Sequence, residues 1–131
     1  MSDIGGAAVG VVCDHSSDEQ IEKLFQRIDD ENNGRLDLIV NNCYAAVPKL
    51  LGAERTDEIN KFWTQDPTFW DLINNVGLRA NYVASVYAAR LMTKRGSGLI
   101  VNMSSAGGAG YIFNAAYGIG KCAMDSVGIT F

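Results

Sequence analysis

Tyr117 and Lys121 stand four positions apart in the run Tyr117-Gly118-Ile119-Gly120-Lys121, and two hydroxyl residues, Ser104 and Ser105, precede the tyrosine by 13 and 12 positions. On a helix, residues four apart share a face, so the Lys121 ammonium comes near the Tyr117 phenol and favours its ionised form. A free tyrosine, with a pKa of about 10, is too weak an acid for proton transfer at neutral pH. A serine hydroxyl at a strand end can hydrogen-bond the same substrate oxygen and hold it in place. The trio fits carbonyl reduction or alcohol oxidation, with the tyrosine giving or taking the proton.

Such a site needs a strand to deliver the serines and a helix to carry the tyrosine and lysine. The apolar run Leu99-Ile100-Val101-Asn102-Met103 predicts the strand, residues 106–110 a glycine-rich loop, and a helix follows from about Asn114. Upstream, Ala7-Ala8-Val9-Gly10-Val11-Val12-Cys13 is a continuous apolar run closed by Asp14, the pattern of a strand buried on both faces of a parallel sheet. Ser17-Asp18-Glu19-Gln20 matches a capping box, and Ile21, Leu24, Phe25 and Ile28 follow with helical spacing. Gly34 can end that helix. Leu36-Asp37-Leu38-Ile39-Val40 predicts another strand, with Asn41-Asn42 at its carboxyl end. Strand, helix and strand imply a right-handed parallel crossover.

Residues 43–65 are weakly periodic, with Pro48, Gly52 and a charged stretch. A connection of that length covers a binding site or lies disordered. Asp66-Pro67 then offers an N-cap and a first-turn proline for one long helix. Its apolar stripe runs from Trp70 through Ile73, Val76, Ala80, Val83, Ala84 and Tyr87 to Leu91, and it ends at Lys94-Arg95-Gly96. The basic end complements the helix dipole.

With 131 residues, 47% of them hydrophobic, the chain is one domain with a packed core. Eleven Lys and Arg against 15 Asp and Glu give a net charge of -4, and the cations are scattered, which argues against nucleic acid or an anionic membrane surface as partner. Cys13, Cys43 and Cys122 lack metal-ligand or disulfide spacing and are expected to be reduced and buried. No apolar run approaches the ~20 residues of a membrane span. Met1-Ser2-Asp3 carries neither the basic nor the apolar part of a signal peptide, so the expected location is cytoplasmic.

Taken in order, Asp14, Asn41-Asn42, Ser104-Ser105 and the Tyr117/Lys121 pair resemble the short-chain dehydrogenases/reductases. The resemblance spans nearly the whole chain. It implies an α/β fold: a partial Rossmann-like, doubly wound parallel sheet lacking the first two strands and the last, within a single partial NAD(P)-binding domain over residues 1–131. It also implies roles. Tyr117 is the general acid or base, and Ser105, ahead of Ser104, orients the substrate carbonyl. Lys121 holds the nicotinamide ribose hydroxyls and acts on the tyrosine. Asp14 meets the adenine, and Asn41 lies against the cofactor. The cofactor is NAD or NADP, and the substrate a small carbonyl or alcohol.

The chain departs from the family pattern in three places. The family's helix asparagine, which anchors a relay water, falls at Gly77, with Asn74 and Asn81 about a turn to either side and expected as helix-surface amides. Cys43-Tyr44 replaces Ala-Gly; Cys43 reads as a small buried residue, and Tyr44 as a pocket wall or a cover for the loop base. The phosphate-binding turn Thr-Gly-x-x-x-Gly-x-Gly is absent, and neither Gly5-Gly6 nor Gly107-Gly108 has the context to replace it. The expectation is therefore a fragment that keeps the catalytic residues, binds NAD(P) weakly or not at all, and turns over little. The alternative is a noncatalytic truncated module whose long helices associate with a full-length homologue, or with its own kind as a homo-oligomer, since in the family these helices often form the dimer interface.

Overall fold

The computed structural model describes residues 6–52 and 55–128. Met1, Ser2, Asp3, Gly5 and Glu54 lie outside the described residues. Helix α1 (Asp18–Asn32) begins where Ser17 caps it, its Oγ accepting from Gln20 N at 3.3 Å. The reciprocal half of the capping box goes elsewhere: Gln20 Oε1 accepts from Asp14 N at 2.8 Å, tying the helix start to the segment before it. The helix ends two residues before the predicted glycine, with Asn33 as its C-cap at φ 51° and Gly34 at φ 75°. Asparagine tolerates the left-handed region, so a two-residue left-handed exit forms here. Ile21 and Phe25 are the buried face of α1.

Strands β1 (Leu38–Asn41) and β2 (Leu99–Asn102) pair in parallel, and both read Leu-Ile-Val-Asn, each residue opposite its own kind. Their inner face packs through Ile100 and Ile39 on a core of Ile21, Phe25, Ala80, Ala84, Leu91 and Met92. The parallel crossover between them runs through the helices that follow β1, as parallel pairing requires.

Residues 7–13 do not form the predicted strand: they join no sheet, and Val9 and Val12 are exposed. Apolar character makes a strand only where a partner supplies hydrogen bonds. Here the described sheet has two strands, and the segment neither pairs with β1 nor covers it. It leaves Leu38 and Val40 half-exposed.

The predicted long helix is divided. Asp66 is not its N-cap: α3 (Phe69–Asn74) starts two residues after Pro67 with Thr68 in the cap position, and the Asp66 carboxylate instead holds the turn before it, Oδ1 accepting from Thr68 N at 2.8 Å and from Thr68 Oγ1 at 2.6 Å. A π turn at Asn75–Arg79 then widens the helix before α4 (Ala80–Arg95), which stops at Gly96 with φ 70°. Such turns insert one residue into a helix and are frequent at functional sites. Asn81 Nδ2 donates to the carbonyl of Gly77, which is buried in the π turn, at 3.1 Å.

The described residues of the excursion after β1 carry regular structure. They form α2 (Val47–Leu50) and two 3-10 turns, Asp57–Asn60 and Phe62–Thr64. Ala46, Leu50 and Ile59 from this segment join Phe69, Ile73 and Tyr117 in a second core cluster. The long connection thus closes over the tyrosine helix, α5 (Ala115–Ser126).

Candidate active site

Asn114 caps α5, its Oδ1 accepting from Tyr117 N at 3.0 Å. This places Tyr117 in the first turn and Lys121 one turn on. Tyr117 is 8% exposed, and its hydroxyl lies 2.7 Å from Ser105 Oγ, which also accepts from Gly107 N at 3.1 Å. Gly107 is needed for this approach, because a Cβ there would run into the Tyr117 ring. The two serines divide their work. Ser104 lines the cavity, but its Oγ donates to the Lys121 backbone carbonyl at 3.1 Å, leaving Ser105 as the hydroxyl at the tyrosine.

Lys121 Nζ donates to the Met103 carbonyl at 3.0 Å and lies 5.9 Å from the Tyr117 ring centroid and 4.8 Å from that of Tyr44. Burial pulls the ammonium below the ordinary lysine value, and the field of Asp125 works against this. Burial likewise pushes the Tyr44 phenol well above the usual tyrosine value, with Tyr117 adding to the effect. Phe113, at φ 63°, sets its ring edge-on to Tyr117 at 5.1 Å. A left-handed phenylalanine is strained backbone, kept here beside the Tyr117 phenol.

Tyr44, Phe113, Tyr117 and Lys121 border a cavity of about 500 Å³ at the carboxyl ends of the strands, with Asn42, Asn81 and Ser104 also in its wall; Ser105 is not one of its lining residues and reaches it through the Tyr117 hydroxyl. A second cavity, about 320 Å³, runs along β1 past His15 and shares Asn42, Cys43 and Asn81 with the first. Open parallel sheets bind ligands at this edge.

The other predicted residues lie outside the first cavity. Asp14 is exposed, and hydrogen bonds from Ser16 N at 2.9 Å and Ser16 Oγ at 2.7 Å hold its carboxyl below the usual range. Asn41 is buried and braces three elements: its Nδ2 donates to Ser85 Oγ on α4 at 2.9 Å and to Asn102 Oδ1 on β2 at 2.8 Å. It borders the second cavity.

Some expectations are corrected. Asn74 and Asn81 are not surface amides; they are 4% and 3% exposed, and Asn74 Nδ2 donates to the Ala116 carbonyl of α5 at 3.2 Å. The two flank the π turn, Asn74 before it and Asn81 after it. Cys43 and Cys122 are free and exposed rather than buried, while Cys13 is half-buried, with burial raising its thiol. The sequence reading missed Ser85 and Phe113. Neither carries a local signal, since one is selected by a contact across 44 positions and the other by an unusual backbone angle. Among the described residues, no helix is long and apolar enough to cross a membrane, and no group of three or more His, Cys, Asp or Glu is arranged to hold a metal.

Comparison with known proteins agrees with this arrangement. Dehydrogenase/reductase SDR family member 1 of Mus musculus is 48% identical over 122 residues, and that of Homo sapiens 48% over 124. These alignments take in 93% and 95% of this chain, which spans 38% of the length of either relative. Among solved structures, a metagenomic short-chain oxidoreductase in complex with NADP superposes with a TM-score of 0.74 at 26% identity, covering 95% of this chain and 52% of that one. Levodione reductase superposes with a TM-score of 0.79 at 21% identity, covering 96% and 45%, a likeness of fold alone. The two-stranded parallel sheet with its flanking helices is thus part of a Rossmann fold. The short chain dehydrogenase profile matches residues 1–128, and with the strand-end serines and the tyrosine-lysine helix in that order, the chain belongs to the short-chain dehydrogenase family.

Proposed function

We propose that this chain carries the carbonyl-side half of an NAD(P)-dependent oxidoreductase site, acting on a small carbonyl or alcohol. The observation that carries the reading is the 2.7 Å approach of the Ser105 and Tyr117 hydroxyls beside the cavity that Lys121 also lines. Ser105 donates a hydrogen bond to the substrate oxygen. Tyr117, at the same oxygen, gives up its proton as negative charge develops there, and takes it back in the oxidising direction. Lys121 puts positive charge beside the ring that becomes anionic. The aromatic walls from Tyr44 and Phe113 limit water around the phenol.

The family implies a nicotinamide cofactor, and the residues present fit one end of it. The ammonium of Lys121 and the amide of Asn42 offer polar groups for a ribose at the first cavity. Asp14 and Asn41 adjoin or border the second cavity rather than the first, so cofactor roles for them rest on the resemblance. When bound, the cofactor supplies or accepts the hydride. The glycine-rich phosphate turn is not within these 131 residues, so the isolated polypeptide is expected to bind NAD(P)H weakly and turn over little. A saturable change in NADPH fluorescence at micromolar protein would contradict that. Catalysis is tested by exchanging residues 7–128 into the matching segment of the human relative and following NADPH oxidation with a panel of small aldehydes and ketones.

A second reading rests on a different surface. Phe62, Trp70 and Ile119 are exposed together around an apolar pocket of about 340 Å³ on α3 and α5, a face suited to another copy or a full-length homologue. Val83 packs on the core and is a poor probe of this face. Trp70→Glu is better: it should abolish self-association, or association with the full-length human relative, in sedimentation velocity, and a parent that stays monomeric both alone and in that mixture would end this reading.

A further inference from the structure

Gly77 and Tyr44, two departures from the family pattern that lie 33 positions apart, meet in space. Gly77 is buried in the π turn, and a Cβ built there would fall on Cδ2 and Cε2 of the Tyr44 ring. The ring therefore occupies the space that any side chain at position 77 would take. Seated there, it lies edge-on to Tyr117, at 6.2 Å and 81°, with the Lys121 ammonium 4.8 Å from its centroid. Cations are attracted to an aromatic ring within about 6 Å of its centroid. Lys121 Nζ meets that limit at both tyrosines and donates one hydrogen bond, to the Met103 carbonyl. Asp125, one helical turn on, acts on the ammonium through its field.

We propose that Tyr44 is a positioning residue of this site: its ring, admitted by the absent side chain of Gly77, holds the Lys121 ammonium beside Tyr117. The two departures are then a single coupled change. The ring performs this task, not the hydroxyl, because Tyr44 OH is buried without a hydrogen-bond partner among the described residues. A buried orphan hydroxyl costs stability, so its loss is harmless. Only the catalytic consequence of the inference rests on the proposed oxidoreductase reading; the placement of Lys121 stands apart from it.

The test is an NMR measurement on the full chain, following the ε-methylene resonance of Lys121, which the neighbouring ring faces displace from its free-lysine position. Tyr44→Phe should leave that displacement and the melting temperature unchanged or slightly improved. Tyr44→Leu fills similar space without a π face, and should collapse most of the displacement. Gly77→Asn should expel the ring and give the same Lys121 signature, and the added change Tyr44→Ala should restore melting temperature lost by Gly77→Asn. A Lys121 resonance unmoved by Tyr44→Leu would overturn the proposal. So would a Gly77→Asn variant that melts and resonates like the parent. If Gly77→Asn does not fold, the Tyr44→Phe and Tyr44→Leu pair still decides. No arm depends on turnover, so an inactive segment exchange would count against the proposed function and leave this result intact.

Discussion

The Ser105 and Tyr117 hydroxyls lie 2.7 Å apart, although one residue follows a strand and the other belongs to a helix that begins ten positions later. Ser104 points the other way, its hydroxyl on the Lys121 carbonyl. The two serines should therefore fail differently. In the segment exchange with the human relative, Ser105→Ala should lower kcat/KM by about 10²-fold, the usual loss when a donor to a developing oxyanion is removed. Ser104→Ala should cost about 1 kcal/mol of stability and leave kcat/KM within a few-fold. Steady-state kinetics and urea melts on both variants check the division; equal kinetic losses would remove it.

Gly107 is where the loop after β2 passes under the tyrosine. Gly107→Ala should cost about 1–3 kcal/mol, since a methyl group has no room between the Tyr117 ring and Ser105 Oγ. It should also break the hydroxyl pair, so thermal melting and activity should fall together. Gly110→Ala, where a Cβ meets nothing within 4 Å, is the control.

Asn41 is predicted to matter first for stability. Asn41→Ala leaves Ser85 Oγ without its donor and Asn102 Oδ1 without the cross-strand bond, while Asn102 Nδ2 already lacks a partner. The expected cost is about 1–3 kcal/mol in urea denaturation. A variant as stable as the parent would show that the brace is dispensable.

Asp18 receives two hydrogen bonds from Arg79, at 2.6 and 2.7 Å, joining the start of α1 to the π turn. Arg79 holds the Asp18 carboxyl below its ordinary value of 3.8, chiefly through the hydrogen bond. A lowered folded-state pKa means the unfolded chain binds the proton more readily. The contribution is present above 3.8 and disappears as pH falls through the lower folded value. Both side chains are half-exposed, so salt should weaken the pair. Urea midpoints compared between about pH 5 and pH 3 should fall more for the parent than for Asp18→Asn, and the difference should shrink in about 1 M salt. Parallel pH profiles would contradict the link.

How far the sequence reached depended on whether a feature was local. The cap at Ser17, the start of a helix near Asn114, and the two strands around Leu38–Asn41 and Leu99–Asn102 follow from neighbouring residues and were legible. The spacing of Tyr117 and Lys121 also identified their shared face. The segment 7–13 misled because an apolar run says nothing about whether a partner strand stands beside it. The π turn hid because no residue type marks it, and the apolar stripe read from Trp70 to Leu91 is not one buried face: Trp70 is exposed while Ile73 is buried. The fit of Tyr44 against Gly77 was out of reach, since nothing in either stretch shows that one residue's ring fills the other's vacancy.

The most direct test of the central claim is Tyr117→Phe in the segment exchange, measured as kcat/KM for NADPH-dependent carbonyl reduction alongside a melting curve. The change removes one oxygen and keeps the ring that packs on Phe113 and Tyr44. A folded variant with kcat/KM reduced by about 10²–10⁴-fold is the predicted result, the range expected for loss of a general acid. A variant that folds and keeps the parental rate would contradict the assignment of Tyr117 as the proton donor, and with it the proposed function.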